Sequence, residues 1–429
     1  MVTDRLTFCV VSRPSKVTIV PATASPGAAP ASAGNGRMRV LFCNWRDTRH
    51  PEGGGSEVYV ESVARALAAA GDDVTIICAR YPGSVQDEVH DGVRYHRVGS
   101  KLGVYPRVLL TQLLRRLGRF DVVVDVQNGV PFASTLATRT PVVTLVHHVH
   151  REQWPVVYGP VRARIGWFLE ARVGPRVYRR SHYVAVSDAT RRELAGLGVD
   201  AAAISVVHNG AEPPRRDAEP AVDPTLLVLG RLVPHKQVEH VLEVAARLRP
   251  ELPTLRVRVV GDGWWSEELR AAAQRLRVTD LVDFVGFVDE DEKHRHLAEA
   301  WVLVLPSLKE GWGLVVMEAA GYGVPSVAYR SAGGVTESIV DHVTGVLTDD
   351  LDGLTEAVRD LLTDPGLRRR LGTSAAARAD EFAWDTTARL FAKVLAEATG
   401  RPSPVTAVPQ AHVHHLPGTD VQEAATPEG

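Results

Sequence analysis

Two carboxylates eight positions apart, Glu310 and Glu318, bracket a glycine-bearing turn in Glu310-Gly311-Trp312-Gly313-Leu314. The apolar segment Ala300 to Pro306 leads into the turn and reads as a buried parallel strand. Val315-Val316-Met317-Glu318-Ala319-Ala320-Gly321 follows with a helical pattern. A glycine turn that opens a helix presents free backbone N–H groups and the positive end of the helix dipole. Carboxylates accept from hydroxyls and the N–H groups donate to anions, so the stretch suits a ligand that is both sugar and phosphate. The plainer alternative is a helix start whose acidic residues merely favour that end.

A second candidate is Gly230-Arg231-Leu232-Val233-Pro234-His235-Lys236. Arg231 and Lys236 stand five apart across a turn that leads into a helix. Arg supplies a fork for two oxygens and Lys a mobile point charge, so the pair can neutralise a diphosphate. A solvated basic turn is the alternative. Gly53-Gly54-Gly55 lets backbone approach a ligand closely or take positive φ. It lacks the G-x-G-x-x-G spacing, which disfavours a simple NAD site. In Leu145-Val146-His147-His148-Val149-His150, His147 and His148 sit at the carboxyl end of a strand and face opposite ways. One of them reaches the cleft as a hydrogen-bonding or acid–base group. His-x-His is also a zinc spacing, but no third ligand is suitably placed. Gly261-Asp262-Gly263 and Gly333-Gly334 are explained by tight turns, and Asp289 to Glu292 by helix capping.

The elements that must position these residues alternate strand and helix. In the first half, strands are expected at Arg39–Asn44, Val74–Cys78, Val122–Asp125, Val142–His147, Tyr183–Ser187 and Ile204–His208, with a helix over Ser56–Ala70. After a Pro-rich, charged loop, Glu212–Pro224, the pattern restarts. Strands are expected at Leu226–Gly230, Leu255–Gly261, Val282–Phe287, Val302–Pro306 and Pro325–Tyr329. Helices fall between them at His235–Leu248, Ser266–Leu276, Asp291–Ala300 and Val315–Gly321. The last helices, Leu354–Ala383 and Thr386–Ala398, feed no strand. The implied class is α/β: two Rossmann-like, doubly wound parallel-sheet domains facing across a cleft. The expected boundaries are a disordered extension over 1–37, a first domain over 38–215 to which 384–400 crosses back, a second over 216–383, and a disordered tail over 401–429. Met38, where the folded pattern begins, is a candidate start codon.

Composition is that of a globular protein: 429 residues, 45% hydrophobic, 23% charged, net charge −2. The charge is uneven. Over 38–215, 23 Lys and Arg face 17 Asp and Glu; over 216–400, 21 face 30. A basic first half points to an anionic partner. Val161–Arg180 and Leu109–Phe120 are basic, partly aromatic helical segments of the kind that lies on an anionic membrane, or else simply a solvated face. Three cysteines, Cys9, Cys43 and Cys78, make no disulfide framework, which fits a cytosolic setting. No stretch reaches 18 uninterrupted apolar residues, and Arg5, Arg13, Pro14 and Lys16 break any signal-peptide core. His412, His414 and His415 fall in the Pro-rich tail and read as solvated.

Taken in order, the motifs resemble the retaining glycosyltransferases of family 4, which have the GT-B fold. The matching pieces are Gly53-Gly54-Gly55, His147, His208-Asn209-Gly210, Gly230-Arg231 with Lys236, Gly261-Asp262-Gly263, Phe284-Val285-Gly286-Phe287, Pro306-Ser307 through Leu314 with Glu318-Ala319, Gly323-Pro325 and Gly345. The family often has Phe or Ser where this chain has Trp312. The resemblance implies that the second domain holds a nucleotide-sugar donor, such as GDP-mannose or UDP-glucose. Arg231 and Lys236 would bind the diphosphate. Glu310 and the backbone of Gly311, Trp312, Gly313 and Leu314 would bond the sugar hydroxyls, and Glu318 the ribose. Gly54 and Gly55 would approach the phosphates, and His147 would lie near the anomeric carbon. His148, Gly286 and Phe287 complete the substrate-binding set. No metal or other cofactor and no nucleic acid is implied. The acceptor would be a hydroxyl on a glycan, a lipid or a small molecule. A sugar-nucleotide epimerase on the same fold and a non-catalytic nucleotide-sugar-binding protein are the alternatives. The implied location is cytoplasmic, at most peripheral at the inner face of the plasma membrane.

Overall fold

Among the described residues, fourteen strands form two sheets. In the computed structural model, which describes residues 37–214, 219–402 and 405, the first sheet takes β1 (Arg39–Cys43), β2 (Asp73–Cys78), β3 (Asp87–His90), β4 (Val93–Arg97), β5 (Val122–Gln127), β6 (Val142–Val146), β7 (His182–Ala185) and β8 (Ile204–Val206). Their spatial order is β3-β4-β2-β1-β5-β6-β7-β8, and only β3 runs antiparallel to its neighbour. The second sheet takes β9 (Thr225–Leu229), β10 (Arg256–Val260), β11 (Val282–Gly286), β12 (Val302–Leu305), β13 (Ser326–Tyr329) and β14 (Gly345–Thr348). It is all parallel, in the order β11-β10-β9-β12-β13-β14. Each sheet therefore reverses its winding once, between β1 and β5 and between β9 and β12. Ligands of open α/β sheets sit beyond the carboxyl ends of strands at such a reversal. The loops after β1, β9 and β12 carry the Gly53–Gly55, Arg231 and Glu310 motifs.

Central strands covered on both faces read as near-continuous apolar runs. β5, β6 and β12 are buried along their whole length. Helices flank both sheets. The helix Trp384–Thr399 packs on the helix Gly55–Ala69 and on β5, β6 and β7. Its Phe391 lies 6.0 Å from Phe42 of β1 and 6.2 Å from Tyr59, centroid to centroid.

Several elements differ from the sequence reading, among them β14, which was not expected as a strand. Leu354–Ala383 is two helices, Leu351–Thr363 and Pro365–Ala379. Pro365 lacks the N–H needed to continue the first, and Asp364 caps the second by accepting from Gly366 and Leu367 N–H at 2.8 and 2.9 Å. The β3–β4 hairpin was not anticipated. Its turn is Asp91-Gly92, with φ of +50° and +78°, a pairing that favours tight hairpins. The basic segment from Val161 breaks into Pro160–Phe168, a π-helical turn Leu169–Val173, and Gly174–Val177. The expected extension 1–37, apart from residue 37, and the tail with its three histidines lie outside the described residues. No described helix is long and apolar enough to cross a membrane.

Candidate active site

Two glycine-opened helix starts meet at one point. The helix Gly55–Ala69 follows β1, and its N-cap is Gly54, whose N–H donates to Glu57 Oε2 at 2.7 Å. Glu57 is fully buried and braces the glycine loop from below. The helix Leu314–Gly321 follows β12, with Gly313 at φ +82° as its N-cap. A Cβ placed on Gly55 would come within 3.7 Å of Leu314 Cδ2, and one on Gly54 within 3.2 Å of Arg231 Nε. Two helix N-termini, each with roughly half a positive charge, and one guanidinium therefore share a small volume. Arg231 donates to the Glu52 carbonyl at 3.4 Å. Loss of hydration and the neighbouring Arg46 pull the Arg231 pKa below its usual value. Glu57, Glu52 and Glu310 act in the opposite direction, and an entering polyanion would offset the lost hydration of the guanidinium.

Lys236 ends a short 3₁₀ turn, Pro234–Lys236, and forms an ion pair with Glu310 Oε1. The loop that holds Glu310 is laced in place. Glu310 N–H donates to Ala332 O at 2.8 Å, Gly334 N–H to Glu310 O at 3.0 Å, and Leu308 N–H to His235 O at 2.8 Å. A Cβ on Gly311 would sit 2.0 Å from the His147 carbonyl oxygen, so backbone of the second half touches backbone of the first. Trp312 is only 2% exposed. Its indole packs 4.4 Å from the His208 ring and 5.0 Å from Phe382, so toward a ligand it offers backbone alone. Glu318 pairs with a different lysine, Lys293, at 2.9 Å. Each of the two carboxylates is thus held by its own cation.

Gly261 and Gly263 do more than turn the chain. Cβ atoms there would come within 2.0 Å of Gly230 O and 2.1 Å of Leu232 O, so the loop after β10 lies directly against the loop carrying Arg231. Beyond it, Trp264 is 58% exposed; at the end of the neighbouring strand β11, Gly286 takes φ +84° and Phe287, next in the chain, is 86% exposed. Phe287 was named from sequence and Trp264 was not, although Gly263-Trp264-Trp265 at a strand end was a usable signal. Arg46 and Glu57 were also missed. Arg46 sits 3.6 Å from Glu57 and stacks 4.2 Å over the Trp45 ring.

Three histidines near the site, His147, His148 and His235, are held below the ordinary imidazole pKa. His147 is almost fully buried, edge-on to Tyr59 at 5.3 Å, and its Nε2 has no hydrogen-bond partner among the described residues. Burial, with a smaller contribution from His150, pushes its pKa down to about 3. His148 bonds Gln153 at 3.1 Å and stacks on His150 at 4.1 Å. Burial and then His150 hold its pKa well below the ordinary value. His150 in turn bonds Glu170, a carboxylate 1% exposed on the π-helical turn, which also accepts from Trp154 Nε1 at 2.7 Å. His235 is pushed down to about 3 by burial and by Lys236. The fixed cations of the cleft are Arg46, Arg231 and Lys236. Among the described residues no group of His, Cys, Asp and Glu is arranged to hold a metal ion.

A stability consequence follows for His147. The native state keeps it neutral down to about pH 3, whereas the unfolded chain protonates it below about 6.5. Its contribution is therefore complete above pH 6.5 and is lost as the pH falls toward 3, at up to about 1.4 kcal/mol per pH unit. Urea unfolding at pH 7.5 and 5.0 should show a smaller acid loss in His147→Gln than in the parent. Equal losses would mean that His147 titrates normally in the native state.

Comparison with known proteins bears on what this arrangement does. The family model described as Glycosyltransferase Family 4 matches residues 53–215, and that described as Glycosyl transferases group 1 matches 212–378. A glycogen synthase of Mycobacterium tuberculosis is 28% identical over 89% of this chain and 100% of its own length. A GDP-mannose-dependent alpha-(1-6)-phosphatidylinositol monomannoside mannosyltransferase of Mycolicibacterium smegmatis is 29% identical over 80% of this chain and 95% of its own. Among solved structures, Anabaena HepE in complex with UDP-glucose superposes with a TM-score of 0.68 at 18% identity, covering 84% of this chain and all of that one.

Proposed function

The chain belongs to the group 1, family 4 glycosyltransferases of GT-B fold, and from that premise we propose that it moves a hexose, with retention, from a nucleoside-diphosphate sugar to an acceptor hydroxyl without a metal ion. The observation that carries the reading is the convergence of two helix N-termini with Arg231, beside the Lys236–Glu310 pair. That assembly suits a diphosphate whose charge grows as the glycosidic bond breaks. Arg231 and the backbone N–H groups at Gly55 and Leu314 take the diphosphate oxygens, while Gly54 lets the loop come close. Lys236 leaves Glu310 for the departing phosphate and frees that carboxylate for sugar hydroxyls. Glu318 takes the ribose. The exposed Phe287 and Trp264 offer flat apolar surface to the base. His147, neutral and with Nε2 unpartnered, donates or accepts one hydrogen bond at the sugar. Fixed protein cations supply the charge stabilisation that a divalent metal provides elsewhere.

The names of the two relatives support transfer to a hydroxyl of a glycan or a lipid-linked glycan, with small molecules as further candidates. GDP-mannose in one name, and UDP-glucose bound to the structural neighbour, support a nucleoside-diphosphate donor of those two types. A thermal-shift series with GDP, UDP, ADP and their hexose conjugates tests the donor. The right conjugate at a hundred times its Kd should add about 2.7 kcal/mol of stability. No shift with any of them would remove the donor assignment, and a larger shift with GDP than UDP would point to a guanosine donor.

A further inference from the structure

The helix Pro160–Phe168 turns an apolar stripe outward. Val161, Ile165 and Phe168, spaced four and three residues apart on one face, are 68%, 55% and 58% exposed. Arg162 and Arg164 are exposed beside the stripe, and Arg172 and Arg176 beyond it. The helix Val104–Leu113 repeats the pattern. Leu110, Leu113 and the following Leu114 are 45%, 64% and 53% exposed, and Arg115, Arg116 and Arg119 come directly after. Val104, Val108, Trp167 and Val177 pack into one hydrophobic cluster on a single face of the first sheet. The two segments therefore cover the same side of the first half, with their outer faces turned away from it.

The charge around these stripes is one-sided. Residues 101–120 contain no Asp or Glu at all. Between 153 and 180 the only carboxylate is Glu170, which is 1% exposed and engaged inward with His150 and Trp154. Several exposed arginines in the second half are neutralised in place, as in Arg247 with Asp352, Arg249 with Asp280 and Arg359 with Glu251. Arg115, Arg116, Arg119, Arg162, Arg164 and Arg172 have no carboxylate partner among the described residues. Unpaired cations flanking an exposed aliphatic and aromatic stripe match a surface that is anionic outside and apolar just beneath.

We propose that these two helices dock the first half of the protein onto an anionic phospholipid bilayer. Val161, Ile165 and Phe168 enter the headgroup–acyl boundary, and the arginines lie among the lipid phosphates. Association is reversible, because the apolar stripe is short and much of the attraction is screened by salt. The proposal concerns only the outer face of these helices and does not depend on the identity of the donor.

The test is co-sedimentation of the full chain with sucrose-loaded vesicles, either phosphatidylcholine alone or phosphatidylcholine with about a third phosphatidylglycerol. Partitioning onto the anionic vesicles should exceed that onto neutral ones by about tenfold or more, and should collapse at 0.5 M salt, where the screening length is roughly four Å. The double variants Ile165→Ser/Phe168→Ser and Arg162→Glu/Arg164→Glu should each lower the partition coefficient about tenfold with unchanged circular dichroism and unfolding midpoint. Equal binding to both vesicle types, or anionic binding that neither double variant weakens, would overturn the proposal. So would absence of vesicle binding together with a concentration-dependent dimer that Ile165→Ser/Phe168→Ser dissociates, since the occupant of the stripe would then be a second copy of the chain.

Discussion

Lys236→Ala should lower turnover by about 10²–10³-fold, the loss typical of removing one preorganised group that faces developing charge. Lys236 lies on a surface turn and is only partly covered, so its loss should move the unfolding midpoint by no more than a few degrees. The measurement is kcat for hexose release from the nucleotide sugar selected by the thermal-shift series, with unfolding followed in parallel. Near-normal turnover would sink the assignment of Lys236. One complication is built into the site: removing Lys236 leaves Glu310, 13% exposed at its side chain, without its cation. A double-mutant cycle with Glu310→Gln separates the two effects. If Lys236 acts only by holding Glu310, the double variant should be no worse than Glu310→Gln alone. If it also reaches the leaving phosphate, the double variant should fall further.

Gly311→Ala should be nearly as damaging, for a reason that involves no charge. Its new methyl would lie 2.0 Å from the His147 carbonyl oxygen, and backbone has no rotamer by which to retreat. The contact joins the second half to the first, so each half can still fold while the two are pushed apart at the site. A misplacement of about 1 Å between reacting groups costs about a hundredfold. The expected result is a loss of turnover of that size with nucleotide affinity changed less than tenfold, because the diphosphate groups of the second half stay in place. Titration calorimetry with the nucleotide and steady-state kinetics measure the two quantities. Normal turnover would show that the Gly311–His147 approach is dispensable.

The parallel strands were legible because burial on both faces leaves apolar runs, as in Val122–Val124 and Val302–Leu305. β3 escaped because Asp87-Glu88-Val89-His90 is an edge strand with one apolar residue in four, though the Asp91-Gly92 turn beside it was the sign of a hairpin. At the site, Arg231, Lys236 and Glu310 could be named from residue type and from their place after strands. Their pairing could not, because Lys236 and Glu310 lie 74 residues apart and only the winding of the second sheet brings them together. Glu57 and Glu170 were invisible for another reason. A carboxylate is ordinarily solvated, and nothing local marks one that the fold has buried to brace a loop or a histidine. Trp312 shows the converse: a large aromatic in a glycine turn suggests a ligand platform, whereas its indole is spent on packing between His208 and Phe382.

The chain passes between the halves twice, once after β8 and once before the helix Trp384–Thr399. The two crossings are fastened together: Ala211 N–H donates to Phe382 O at 2.8 Å, and Ala211 and Ala383 form a parallel bridge. Two tethers joined at one place act as a single pivot. A hinge at this place would let the halves open and close, whereas sliding would have to break the fastening. A closing motion about such a hinge would return Gly311 to the same carbonyl and Arg231 to the same glycine loop, so the fastening would set the alignment of the site.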